Sequence, residues 1–548
     1  MYACDFLSVS NFKIRGLMYW KFQKFGIKSA VESRHFKNKQ RMRWHHSLPL
    51  PLSITCVALG LNADHQSCRT PRYFEQREKA AAIVKQFMVR NGVPGLSIGV
   101  SRNGRCVWEQ GFGYADVEQL VPCKRDTVMR IASISKPVTA ALAACLVQSG
   151  RLDLDASVQD YVPDFPKKKY NDKDVTITIR QLLSHTSGIR HYKMVTFSFL
   201  PVSLILPKRN IYYYQPVEPT IEDFVRELKK AAETGIDGNV KNLLHKINIK
   251  YKNKRNGFAW LTSSDMSYLH LIFQEKYGKS NSTRYRSVEL KDKSEFFSNV
   301  HYECVKDALE IFKHDELVAE PGSKVQYTTH GFTLLSAALE KAANKSYIEQ
   351  ITNFFRELGM NHSYLDLNFP LITNRARYYY RDPDHKLRNI PEVDNSSKWA
   401  GGGLLSTVTD LLIFANAMLY SYHAAQQSSI ENNEMKPLIN AETMKIFWKG
   451  EISDHLGNMY ALGWCKIDGE DKKYGGLSDT WPRKGVFLHT GAAVGASSVL
   501  LIKPDHNFTG IDGTCVAILT NLHECGELTQ LAMEIVEIFG SPTFTETS

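Results

Sequence analysis

Ser133-Ile134-Ser135-Lys136 places a hydroxyl and an amine three residues apart. Pro137 follows at once, and a proline ring inside a helix clashes with the carbonyl four residues back, so Ser133 has to sit at or before a first helical turn. Val138, Leu142 and Leu146 carry that helix onward. At a helix start, free backbone N–H groups and the positive dipole end stabilise developing negative charge, and a lysine three residues on shares the face within about 5–6 Å. A partly desolvated amine loses its proton and can then take one from the hydroxyl. The tetrad alone also fits an N-capping serine beside a solvated lysine, so its reading depends on partners elsewhere.

Two stretches supply candidates. Tyr327-Thr328-Thr329 follows the turn Glu320-Pro321-Gly322 and precedes a helical pattern, which presents a tyrosine hydroxyl at a helix mouth; a phenol beside an amine is a proton shuttle. His489-Thr490-Gly491 closes the predicted strand Val486-Phe487-Leu488, and the small Gly491, Ala492 and Ala493 let a substrate lie against backbone. An edge strand there pairs with a peptide-like substrate and offers one oxyanion N–H. His185 and His191 have no carboxylate at a matching spacing and read as loop-shaping residues rather than metal ligands. Gly401-Gly402-Gly403 lacks the strand, Lys-Ser/Thr and Asp context of a nucleotide loop.

These groups need elements to carry them. Phe74 to Val89 alternates with helical period and stops at Asn91-Gly92. Gly95–Val100 and Cys106–Phe112 flank Asn103-Gly104, a strong hairpin signal. Near the other end Val486–His489, Ala496–Ile502 and Thr514–Thr520 read as strands, and Glu527–Phe539 as an amphipathic helix. Between them run helical patterns over Val138–Gln148, Thr178–Ser184, His330–Ala343, Tyr347–Leu358 and Val408–Leu419. Strands at both ends around a helical middle predict an α+β fold: an antiparallel sheet of N- and C-terminal strands, covered by terminal helices, beside a mostly helical second lobe. The site belongs in the cleft between lobes.

The 548 residues are 43% hydrophobic and 23% charged, which excludes disordered, collagen-like and coiled-coil classes. The net charge of +11 does not mark a nucleic-acid binder, because residues 1–50 carry +8 and 193–300 carry +7, leaving the rest mildly acidic. Tyr212-Tyr213-Tyr214 and Tyr378-Tyr379-Tyr380 read as packing or interface residues rather than base-stacking platforms. Ten cysteines form no Cys-x-x-Cys pair, and most lie in apolar runs as small buried hydrophobes. Leu48–Leu61 is too short to span a bilayer and reads as a sorting or anchoring segment behind a basic presequence. Initiation at Met42 would instead make it a signal peptide of a secreted chain, with sequons at Asn281, Asn344, Asn361, Asn395 and Asn507. The expected organisation is a targeting region over 1–62 and one domain over 63–548, interrupted by a charged insertion over 193–300.

In chain order these residues resemble the penicillin-binding-protein and serine β-lactamase superfamily, in its class C-like branch with D-alanyl-D-alanine carboxypeptidase and esterase relatives. The resemblance covers 75–192 and 301–540. It includes Leu182-Leu183-Ser184-His185-Thr186-Ser187-Gly188-Ile189, Pro321-Gly322-Ser323, Glu357-Leu358-Gly359-Met360, and Gly401-Gly402-Gly403-Leu404-Leu405-Ser406-Thr407 before Asp410-Leu411. With its basic leader and charged insertion, the chain is most similar to the mitochondrial members. The resemblance implies Ser133 as acylated nucleophile, Lys136 as base, Tyr327 as proton relay, and His489, Thr490, Gly491, Ala492 and Thr329 at the substrate, with the N–H groups of Ser133 and Ala492 as oxyanion hole. His489 replaces the usual lysine, and Thr329 the usual asparagine, which favours peptide or ester acyl transfer over β-lactam hydrolysis. It further implies no metal or cofactor, a place in the intermembrane space with inner-membrane surface contact, self-association into filaments, and a link to lipid metabolism. The alternatives are a scaffold with little catalysis, using the insertion as contact, or a true β-lactamase or carboxypeptidase.

Overall fold

Asn103 and Gly104 turn the chain with φ of 51° and 74°, the two left-handed positions of a tight hairpin. They join strand β1 (Gly95–Arg102) to β2 (Arg105–Asp116), as the Asn-Gly signal predicts. A computed structural model describes residues 73–193, 295–382, 384–426, 436–453, 459–467, 485–505 and 511–540. The leader over 1–62, Leu48–Leu61, Tyr212–Tyr214 and nearly all of the 193–300 insertion lie outside the described residues.

The sheet extends from that hairpin to β3 (Val121–Pro122) on one side. On the other it takes in the C-terminal strands: β4 (Ile452–Ser453), β5 (Met459–Tyr460), β6 (Cys465–Ile467), β7 (Val486–Ala493), β8 (Ala496–Pro504) and β9 (Gly513–Thr520). The order is β4-β5-β6-β7-β8-β9-β1-β2-β3, antiparallel throughout, so the two chain ends meet at the β9–β1 pairing, where Ile98 faces Ile518. The fold is α+β, with the sheet built as the sequence predicts.

Both faces of the sheet are covered, which is why β9 reads Thr-Cys-Val-Ala-Ile-Leu-Thr without polar alternation and is buried along its length. On one face the first and last described helices, α1 (Phe74–Asn91) and α6 (Leu528–Gly540), bury Val84, Ile535 and Phe539 against Ile98, Val499 and Ile518. Gly92 caps α1 in the left-handed conformation at φ 61°, which explains the Asn-Gly stop. On the other face lies α5 (Val408–Gln426), buried nearly all round, and behind it the helical lobe. That lobe holds α2 (Ser135–Gln148), α3 (Thr329–Ala343) and the single turn α4 (Trp399–Gly402). The sequence places the end of α5 at Leu419, but it continues seven residues further, with Tyr420, Ser421, His423 and Ala425 buried and the Ser421 hydroxyl satisfied by the Ala417 carbonyl.

Between sheet and helices sits a small three-stranded sheet of Met129–Arg130, Leu404–Ser406 and Tyr364–Leu365. Arg130 on it is buried and held by Asp366 at 2.7 Å, by the Val494 carbonyl at 2.7 Å and by the Tyr378 ring at 4.3 Å. Arg375 shares the same carboxylate. Tyr378 and Tyr379 are thus packing residues: their hydroxyls accept from the N–H groups of Arg130 and Val117. Asn395, one of the five sequons, is buried with its amide donated to Asp366, which leaves no room for a glycan at that position. No disulfide joins any of the seven cysteines among the described residues, and burial pushes Cys515 up to about 12.

Because Asp366 compensates two guanidiniums, one fully buried, Asp366→Ala strands Arg130 without a counter-charge. We expect a loss of about 3–5 kcal/mol in urea unfolding; a change below about 1 kcal/mol would show that the pair is not holding the small sheet.

Candidate active site

Ser133 sits in a 3-10 turn, Ala132–Ile134, that feeds directly into α2. The sequence places it at a helix start for the same reason: Pro137 falls at the third helical position, where its missing N–H costs nothing. The turn is strained, since Ala132 adopts φ 50°, a left-handed backbone that costs a non-glycine residue about 1–3 kcal/mol. It is held in place from three sides. Ile131 donates its N–H to Leu404 O at 3.0 Å, Ser498 Oγ donates to Ile131 O at 2.8 Å, and Ser135 Oγ donates to Ala132 O at 2.7 Å. Small sheet, main sheet and helix therefore converge on one hydroxyl.

The Lys136 amine is completely buried, 3.1 Å from Ser133 Oγ. It donates to the Gly401 carbonyl of α4 at 2.6 Å and lies 3.3 Å from Thr329 Oγ1 and 4.6 Å from the Tyr327 ring centroid. Among the described residues no carboxylate bonds it, and burial, helped by the charge of Lys398, drives its pKa well below the usual lysine range. A neutral amine has two N–H donors and one lone pair. With the donors turned to Gly401 and Thr329, the lone pair faces the Ser133 hydroxyl, the geometry a base needs.

From the opposite side the Tyr327 hydroxyl donates to Ser133 Oγ at 2.7 Å. Tyr327 stands just before α3, whose N-cap Thr328 accepts from Gly331 N–H at 3.2 Å. Thr329 begins the helix, and its hydroxyl is spent on Lys136 rather than turned to a substrate. His185 and His191 shape this turn: their Nδ1 atoms accept from the N–H groups of Thr328 and Thr329, both at 3.2 Å. Both rings contact Tyr327, at 4.3 and 5.5 Å, and burial keeps both neutral.

The third stretch differs from expectation. Strand β7 does not end at His489 but runs to Ala493, with His489 facing Leu500 and Gly491 facing Ser498 on β8. Its other neighbour, β6, pairs with it only over 486–488, and among the described residues no strand pairs with 489–493 on that side, where the Ser133 turn lies. The glycine also has another reason than a close substrate. A Cβ on Gly491 would meet Ser498 Oγ at 2.2 Å and Ile131 O at 2.6 Å, so Gly491 is what lets the Ser133 turn lie on the strand. His489 is buried, and burial, with the neighbouring Lys136, lowers its pKa to about 3. Its Nδ1 is 2.6 Å from the Thr490 carbonyl and must carry the proton, so Nε2 accepts from the Tyr460 hydroxyl at 3.1 Å. It is a neutral hydrogen-bonding residue and not a cation. Thr490 is half-buried and Ala492 exposed beside it.

A family profile described as β-lactamase matches residues 80–218 and 281–536. The chain belongs to the β-lactamase family. Among curated relatives, the mouse (Mus musculus) protein named "Serine beta-lactamase-like protein LACTB, mitochondrial" is 37% identical over 457 residues, 81% of this chain and 76% of its own. The human (Homo sapiens) protein of that name is 36% identical over 506 residues, 90% of this chain and 82% of its own. The fold is shared with the octameric penicillin-binding protein homologue of Pyrococcus abyssi, at a TM-score of 0.53 and 19% identity, covering 85% of this chain and 78% of that one. It is shared likewise with EstCE1, a hydrolase with promiscuous acyltransferase activity, at 0.55 and 16%, covering 85% and 98%. Membership in the β-lactamase family makes the chain a hydrolase by kinship.

Three participants escaped the sequence reading. The Gly401 carbonyl acts through backbone, so the triple glycine enters the sequence reading as part of the family resemblance but with no role for that carbonyl. Tyr460 lies on a two-residue strand without periodicity. Lys398 looks like a surface charge, although the Trp-Ala-Gly-Gly-Gly that follows it is an apolar context.

Gly491→Ala should cost about 1–3 kcal/mol through overpacking and displace the Ser133 turn. Labelling by a fluorophosphonate should slow by about 10²-fold, the effect of an ångström-scale misplacement. Full labelling of a stably folded variant would show that the turn does not need this contact.

Proposed function

We propose that the chain is a serine acyl-enzyme hydrolase that cleaves peptide or ester bonds. The observation that carries this reading is Ser133 Oγ lying between a buried, carboxylate-free amine at 3.1 Å and a tyrosine hydroxyl at 2.7 Å. Lys136 takes the hydroxyl proton as Ser133 attacks the carbonyl carbon. The backbone N–H groups of Ser133 and Ala492 hold the tetrahedral oxygen, and the end of β7 beside Ser133 aligns the substrate. Tyr327 passes a proton to the leaving amine or alcohol, and water then attacks the ester so formed, with Lys136 and Tyr327 returning the proton. Neutral His489 and the engaged Thr329 leave no fixed cation on the strand for a β-lactam carboxylate, which supports peptide or ester substrates; slow or absent turnover of a chromogenic cephalosporin is expected. Kinship with relatives named mitochondrial, together with the basic leader, supports a mitochondrial chain. The intermembrane space, inner-membrane contact, filament assembly and lipid metabolism extend the same inference, and light scattering of the purified full chain tests assembly.

The pH dependence has a definite sign. The pKa of Lys136 in the fold lies below that of a free lysine, so it is a competent base above that value and fails as pH falls through it. Acylation should persist well below the pH at which a free lysine is protonated and decline as pH falls further through the lowered pKa, as stopped-flow ester assays can show.

Ser133→Ala should abolish the intact-mass adduct with a fluorophosphonate. Lys136→Met and Tyr327→Phe should each lower kcat/KM for an ester by about 10²–10⁴-fold with little change in far-ultraviolet circular dichroism. Full hydrolysis by the Ser133→Ala protein would refute the acyl-enzyme reading.

A further inference from the structure

A cavity of about 50 Å³ is lined by Tyr192 and Glu295, from the two ends of the insertion, and by Ser298, Tyr302, Ser397 and Lys398. Ser133, Lys136 and Tyr327 do not line it. A space of that size has room for a few waters or one small ion. Lys398 ends the 3-10 turn Ser396–Lys398 and is only 5% exposed. An ammonium has three N–H donors, and the Phe296 carbonyl takes one of them at 3.0 Å. The Tyr192 and Phe296 rings, with centroids 5.2 and 5.1 Å from Nζ, attract the charge but offer no lone pair. Every acid near it is engaged elsewhere: Asp366 with Arg130 and Arg375, Asp394 with His301, and Glu295 with Arg190 and His330. Among the described residues none of them forms an ion pair with Lys398. A buried cation with donors to spare and no counter-charge is costly, and beside a polar cavity it calls for an anion.

We propose that this cavity binds one small monovalent anion, of the size of chloride or formate, as the counter-ion of the Lys398 ammonium, with the hydroxyls of Ser298, Tyr302 and Ser397 as further donors. The anion ties both ends of the insertion to the turn that opens α4. Glu295 limits the charge the site accepts. Against the upward pull of burial, hydrogen bonds from His330 and Arg190 bring its pKa down to about 2, so it stays ionised and opposes a second negative charge beside it. A phosphate or sulfate dianion is therefore disfavoured, and the volume excludes large organic acids. Binding is linked to protonation of Lys398, which faces Arg130, Asp366, Asp394 and Glu295, and also Lys136, His191 and His330. Burial, then Arg130, brings its pKa down to about 7, while the three acids oppose the shift. The anion prefers the charged form, so affinity falls as pH rises through that value.

The test is the thermal unfolding midpoint of the full chain, titrated with sodium chloride or sodium formate against sodium gluconate at constant ionic strength, for the unaltered protein and Lys398→Met. A bound ion raises the midpoint along a saturating curve, whereas a general salt effect does not saturate. We expect a saturating rise of about 1–3 °C with the small anions and none with gluconate, which is too large for the cavity. The half-saturating concentration should be about tenfold higher at pH 8 than at pH 6. Chloride and formate act on the same site, and which of them saturates at the lower concentration shows whether a halide or a small carboxylate is preferred. Lys398→Met should abolish the saturating rise. Its persistence in that variant would put the anion elsewhere and overturn the inference, as would equal midpoints in chloride, formate and gluconate for the unaltered protein. If Lys398→Met does not fold, the unaltered protein decides: a response indifferent to anion size, or one that strengthens with rising pH, overturns it.

Discussion

The exclusion of water and carboxylates from around Lys136 is the constraint on which the rest of the site depends. An amine in a sealed cavity is a base, whereas the same amine beside a carboxylate or in solvent is a spectator cation at neutral pH. The surroundings are consistent with that requirement. Helix α2 is buried from Ser135 to Leu146, the partners of the amine are a backbone carbonyl and a threonine hydroxyl, and the nearby histidines are held neutral by their own burial. Placing Arg190, Glu295 and Asp315 in an outer ion-pair network keeps acids away from the amine while tying down the chain beside it.

Reactivity also needs a hydroxyl that does not drift, and here rigidity comes from convergence. The left-handed Ala132 would relax in isolation. It persists because its flanking carbonyl is bonded from β8, its N-terminal neighbour from the small sheet, and its own carbonyl from α2. Gly491 completes the arrangement by letting strand and turn touch without a side chain between them. The same contact puts the end of β7 next to the nucleophile, so the device that fixes Ser133 also fixes which strand residues stand beside it.

How much of this the sequence discloses depends on whether a residue acts through its type or through its burial. Ser133, Lys136 and Tyr327 carry their chemistry in the side chain and sit at predictable places, a proline-marked helix start and a helix mouth, and they converge as expected. The hairpin at Asn103-Gly104 and the terminal strands are local signals, and they too form. The extent of β7 is not local: the strand continues past His489 because β8 pairs with it and because Gly491 receives the Ser133 turn, neither of which a window around His489 contains. Thr329 was legible as a site residue but not as a partner of Lys136, since that contact joins helices 193 positions apart. The role of Gly401 is invisible because a carbonyl has no letter of its own, and Lys398 reads as polar because its burial comes from Tyr192 and Phe296, far away in sequence.

The Arg190–Glu295 pair joins two points of the chain 105 residues apart, and Lys193 adds its own N–H to the same carboxylate. Whatever chain lies between leaves and re-enters the domain through one doorway. Closing a loop costs entropy that grows only with the logarithm of its length, about 0.6 kcal/mol per doubling. The closure entropy alone therefore changes little with the number of residues between the two points, while the doorway itself stays put. A clamp of this kind works as a door frame: it holds the two edges of the opening at a fixed spacing, and the catalytic framework behind it meets the same two edges whatever passes between them.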